Sequence, residues 1–135
     1  MKSFEVQSIE IPTDFNEAFE YISNRKNLPE WTLAFHSVSD RTAVLRTPRG
    51  TVEVDLDVSA VRDQGTIDWL MKFPDGSEAR AHSRLVNVGK GAVAFIFVLT
   101  QPPGPLEELE GLLEQQSEAL KEELKRLRHI LEVRR

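Results

Sequence analysis

Apolar and polar positions alternate along most of this chain, and the period of the alternation changes twice. Phe4, Val6, Ile9 and Ile11 lie in a stretch without Gly or Pro and predict a first strand that ends at Pro12. Asp14 and Glu17 have capping-box spacing. Phe15, Ala18, Phe19 and Ile22 then follow at i, i+3, i+4 and i+7, the spacing of one apolar helix face. Asn27 to Trp31 read as a second, very short helix, with Asn27 as its cap and Pro29 in its first turn.

From about Phe35 to Gln101 the period drops to two, and five further strands are predicted. Val52, Val54, Leu56 and Val58 alternate with Glu53, Asp55 and Asp57; Ile67, Trp69, Met71 and Phe73 alternate with Asp68, Leu70 and Lys72. Ala79, Ala81, Ser83 and Leu85 alternate with Glu78, Arg80, His82 and Arg84. Turn residues at 48–50, 63–65, 74–76 and 89–91 separate the runs, the pattern of an antiparallel meander with one dry and one wet face.

Loop lengths fix two registers. A three-residue loop at 74–76 sets Met71 opposite Ala79 and Trp69 opposite Ala81. A two-residue loop at 63–64 sets Val58 opposite Trp69 and Leu56 opposite Met71. Both place apolar on apolar. The outer pairs stay open: a loop of Arg49 and Gly50 puts Leu45 beside Val54, whereas one more loop residue puts Val44 there. Ala92 to Leu99 is apolar on both faces and leaves its register undetermined.

Pro102 to Pro105 stop the sheet, and a helix of roughly 25 to 30 residues follows, about 40 to 45 Å long. Leu106, Leu109, Leu113, Leu120, Leu124, Leu127 and Leu131 form its apolar stripe. Glu107, Glu108 and Glu110 at its start and Lys125, Arg126, Arg128 and His129 near its end oppose the helix dipole; Glu122 and Arg126 add an i,i+4 pair. The expected fold is α+β: a curved six-stranded antiparallel sheet wrapped around this helix, with two short helices after the first strand. Ala79, Ala81 and Ser83 on the dry face fill little space, which leaves room for a cavity between sheet and helix.

The segment from Ile11 to Trp31, in which a strand and Pro12 lead into a helix and a second short helix ends in Leu28-Pro-Glu-Trp31, resembles the opening of START-like (SRPBCC) helix-grip proteins. That superfamily includes bacterial polyketide cyclase/dehydrase-like proteins, and the order of elements matches it from Phe4 to Val133. The resemblance implies a cavity holding an apolar ligand such as a lipid, sterol, quinone or polyketide. It also implies that some such proteins are cyclases or dehydratases.

Composition narrows the picture. The 135 residues, 40% hydrophobic and 29% charged, suit one domain spanning 1–135 rather than a disordered chain. The absence of cysteine removes disulfides and thiolate chemistry, and a net charge of −5 argues against nucleic acid as a partner. The N-terminus has no apolar signal core, and the longest apolar run, Ala92 to Leu99, is too short to span a bilayer. A cytoplasmic monomer or homodimer with no integral membrane segment is expected.

Candidate chemistry is sparse. His36, His82 and His129 are scattered without metal-ligand spacing, so neither a metal nor a cofactor is expected. Glu53, Asp55 and Asp57 fall on the wet face together with Arg80, His82 and Arg84 and read as a solvated lattice. The dry face supplies Val, Leu, Ile, Trp, Met, Phe, Ala and Ser, none of which performs general acid/base chemistry at a tuned pKa. A small or medium hydrophobic ligand is therefore expected against Trp31, Val54, Leu56, Trp69, Met71, Ala81, Ser83, Leu113 and Leu120. The alternative is a cyclase/dehydratase-type enzyme with His36, Asp40 or Arg46 as its catalytic candidates, a trio that faces the cavity if Val44 rather than Leu45 points inward.

Overall fold

A computed structural model describes residues 3–47, 50–100 and 112–134. Its strands are β1 (Phe4–Ile11), β2 (Phe35–Val38), β3 (Thr42–Thr47), β4 (Gly50–Val61), β5 (Thr66–Lys72), β6 (Glu78–Gly89) and β7 (Ala92–Thr100). They form one antiparallel sheet in the order β1-β7-β6-β5-β4-β3-β2. Helices α1 (Phe15–Ser23) and α2 (Leu28–Trp31) follow β1, and α3 (Leu112–Val133) closes the chain.

The sheet has seven strands where the alternation predicted six. The difference lies in the stretch expected to be the second strand, which a turn at Ser39 to Arg41 divides into β2 and β3. Ser39 accounts for the break: its N–H donates to the Thr42 carbonyl at 2.9 Å and its hydroxyl lies 2.6 Å from Thr42 Oγ1. A short polar side chain bonding two or three residues along the backbone favours a turn over a continuing strand.

The two central registers are those that the loop lengths predicted: Trp69 faces Ala81, Met71 faces Ala79, Val58 faces Trp69 and Leu56 faces Met71. In the β3–β4 pair Thr47 faces Gly50, so Leu45 lies opposite Val52 and Ala43 opposite Val54. That is one pair further along than a loop of Arg49 and Gly50 gives, but the parity is the same. Leu45 points into the core and is buried, whereas Val44 points away from it. The open register of β7 is settled by Phe97 facing Ser83 and Phe95 facing Leu85, which turns Val93, Phe95 and Phe97 inward.

Gly65, in the β4–β5 turn, has φ +72°, and a Cβ added there would lie 2.2 Å from the Leu85 carbonyl oxygen. The turn is pressed against β6 at this point, and Leu85 N–H donates to the Gly65 carbonyl at 2.7 Å. Only glycine meets both conditions.

Around the sheet, Asp14 caps α1 as the capping-box spacing predicted, accepting from Glu17 N–H at 2.8 Å. Asn27 does not cap α2; its amide instead donates to the Tyr21 carbonyl at 2.9 Å. The capping side chain is Asn24, which receives Lys26 N–H at the start of a 3-10 turn, Arg25–Asn27. Arg25 fastens that turn to the sheet by donating to the Leu56 carbonyl at 2.6 Å.

Helix α3 buries Leu113, Leu120, Leu124, Leu127 and Leu131 as its leucine spacing predicted. Leu106, Leu109, Glu107, Glu108, Glu110 and the proline turn at 102–105 lie outside the described residues, as do Pro48 and Arg49. Glu122 pairs with Lys125 at 3.4 Å rather than with Arg126, and Arg128 reaches Glu132 at 2.8 Å. The helix lies along β1, where the Gln7 amide donates to the Ser117 backbone carbonyl at 2.6 Å. Its far end reaches α1 through Arg134, whose guanidinium lies 5.0 Å from the centre of the Tyr21 ring.

Candidate functional site

The inner face of the sheet carries large rings on β5 and β7 and small side chains on β6. Trp69 stacks on Phe97 with ring centres 5.8 Å apart, and Phe97 meets Phe95 edge-on at 6.1 Å. Trp31, delivered by α2, contacts Phe95 edge-on at 6.3 Å. Between β5 and β7, on the same face, stand Ala79 and Ala81 of β6, whose methyl groups fill little of the space toward α3. The unfilled space is a cavity of about 430 Å³. That is within the range of small-molecule sites, near its lower end.

Its walls are mostly carbon: Leu28, Trp31, Phe35, Trp69, Met71, Phe73, Ala79, Ala81, Phe97, Leu99, Ala119 and Leu120 all contribute. The indole nitrogens of Trp31 and Trp69 are buried and have no hydrogen-bond partner among the described residues. Both nitrogens are withdrawn from the accessible surface, so the rings present carbon to the cavity.

The mouth is polar and is organised around Leu33, between α2 and β2. Leu33 N–H donates to Glu123 Oε2 at 2.6 Å, and its carbonyl accepts from Arg46 Nη1 at 3.1 Å. A second Arg46 nitrogen lies 3.0 Å from His36 Nδ1. Glu123 is half-buried on α3, and burial raises its carboxyl above the usual carboxylate range. The Leu33 and Ala34 N–H groups, and then Arg126, act in the opposite direction.

No family model matches the chain, and no curated protein matches it in sequence. Solved structures do. A START superfamily protein from Mycobacterium smegmatis superposes with a TM-score of 0.68 at 13% identity, covering 99% of this chain and 100% of that one. The Zhui aromatase/cyclase from Streptomyces sp. R1128 superposes with a TM-score of 0.76 at 8% identity, covering 97% and 94%. The protein XoxI from Bacillus cereus gives 0.67 at 16% identity, covering 96% of each chain. The fold is the START-like helix grip. At these identities the likeness concerns the SRPBCC fold alone.

Within the helix grip, five of the nine expected ligand contacts line the cavity: Trp31, Trp69, Met71, Ala81 and Leu120. Val54, Leu56, Ser83 and Leu113 are buried away from it. The Ser83 hydroxyl is committed to the Ile67 carbonyl at 2.6 Å. Of the alternative trio, Arg46 lines the mouth and touches His36, but both are exposed, and Asp40 stands apart in the β2–β3 turn. The inward position of Leu45 sends these side chains to the rim or the outer surface.

The carboxylates Glu53, Asp55 and Asp57 are exposed on the outer face, where His82 lies 3.3 Å from Asp68 and Arg80 approaches Glu78 at 3.6 Å. Among the described residues no helix is long and apolar enough to cross a membrane.

Glu123 is the site residue that the leucine stripe concealed. Its position carries a signal all the same: 123 is i+3 from Leu120 and i−4 from Leu127, on the buried side of α3. A carboxylate at such spacing has to find donors or neutralise.

Proposed function

We propose that this chain, acting as one unit over 1–135, binds a small apolar molecule in the cavity between the β5–β6–β7 face and α3. The observation that carries the reading is the carbon-lined volume of about 430 Å³ beside Trp69, Met71 and Phe97. Apolar surface transferred from water to such walls gains about 25 cal/mol per Å². Few polar groups are needed beyond those that fix the pose.

START superfamily proteins and aromatase/cyclases among the structural neighbours agree with a lipid, polyketide or quinone-like ligand. The cyclase/dehydratase alternative has His36, Asp40 or Arg46 act on a bound substrate; of these only Arg46 borders the cavity, and its guanidinium is engaged by the Leu33 carbonyl and His36, which favours binding over catalysis.

Native mass spectrometry before and after organic extraction tests the reading. An adduct that extraction removes, and that an apolar dye replaces, is the expected result. A chain that carries no adduct and gives no fluorescence change with such a dye would overturn it.

A further inference from the structure

Helix α3 presents more than leucine to the cavity. Gln116, Ala119, Leu120 and Glu123 all line it, at the i, i+3, i+4 and i+7 positions of one helical face. Gln116 and Glu123 are two turns apart, about 10.5 Å along the axis, with the small Ala119 between them. Both are half-buried. The Gln116 side chain makes no hydrogen bond among the described residues, and Glu123 directs its carboxylate at backbone N–H groups of the mouth. The cavity is thus two-sided: rings on the sheet wall, amide and carboxylate on the helix wall.

Granting the binding function proposed above, we infer that this polar rail on α3 selects neutral apolar molecules bearing a hydroxyl group and rejects carboxylate amphiphiles. A ligand hydroxyl can donate to a free lone pair of Glu123 or to the Gln116 carbonyl oxygen. A ligand carboxylate meets a like charge in a partly dry site, where repulsion is poorly screened. Neither cation at the cavity edge, Arg46 or Arg80, offsets this: Arg46 already serves the Leu33 carbonyl and His36, Arg80 lies 3.6 Å from Glu78, and both are exposed, so water and salt weaken their fields.

Naphthol and naphthoate, matched in ring size and fluorescent in their own right, separate the outcomes when titrated at neutral pH against wild type and Glu123→Gln. Any apolar pocket disfavours an ion, so the decisive quantity is the change caused by the substitution. Naphthoate should bind about tenfold more tightly to Glu123→Gln than to wild type, while naphthol affinity stays level or falls. Gln116→Leu should weaken naphthol and leave naphthalene unchanged. Naphthoate that gains nothing from Glu123→Gln, or that outcompetes naphthol in wild type, overturns the inference and leaves the cavity function standing. If naphthol, naphthoate and naphthalene all fail to bind, the cavity function itself falls, and this inference with it.

Discussion

Leu33 N–H donates to Glu123 Oε2 at 2.6 Å across 90 residues of sequence. Arg46 holds the same peptide segment from its other side, through the Leu33 carbonyl. One α3 side chain and one β3 side chain therefore fix the segment that borders the cavity.

Charge on Glu123 opposes folding even as it holds that segment. Its carboxyl is raised above the ordinary value of 4.5, chiefly by burial, so the folded chain keeps this proton more tightly than the unfolded chain does. The resulting stability is complete below 4.5 and is lost as pH rises through the folded value. Urea unfolding of wild type and Glu123→Gln should show the difference between them moving against wild type as pH climbs from 4.5 toward neutral. Parallel pH profiles would contradict the assignment. Glutamine still offers a carbonyl oxygen to Leu33, so the variant should fold.

Gly65→Ala should destabilise by about 3 kcal/mol or more, since it combines a left-handed backbone with a Cβ forced against a backbone oxygen. Thermal unfolding measures this. A loss below about 1 kcal/mol would mean that the turn moves off β6 at little cost.

Ala119→Phe should fill the cavity from the helix side. Probe affinity should fall at least about tenfold while stability holds or rises, as cavity-filling substitutions often gain about 0.5–2 kcal/mol. Calorimetric binding and chemical denaturation on one sample distinguish this from a variant that merely unfolds.

Asp55→Asn, on the outer face opposite Lys72, should change stability by no more than about 0.5 kcal/mol and leave binding intact. A large loss of affinity would mean that the outer face takes part in the site.

Much of this arrangement is legible in the sequence because turn length and period-2 alternation act together. The 63–65 and 74–76 turns determined which residues of β4, β5 and β6 oppose one another, and hence that Trp69, Met71 and Ala81 share a face. The division of β2 from β3 was less visible: Ser39 and Asp40 interrupt a run short enough to pass for one strand. In β7 the alternation vanishes because Ile96 and Val98 are apolar on the outer side too, leaving only partner registers to decide. Glu123 escaped because a charge on a leucine-rich helix is ordinarily solvated, and its burial depends on a loop ninety positions away.

The two margins of the sheet bear on how these molecules meet one another. β2 has only four residues, and its register shifts between Phe35 and Ser37, so it offers a neighbouring chain too short and uneven a ladder to extend. β1 is longer, but α3 lies along it and Gln7 is tied to Ser117. A short, irregular strand at one margin and a helix tied along the other are both devices that oppose strand-to-strand pairing between copies.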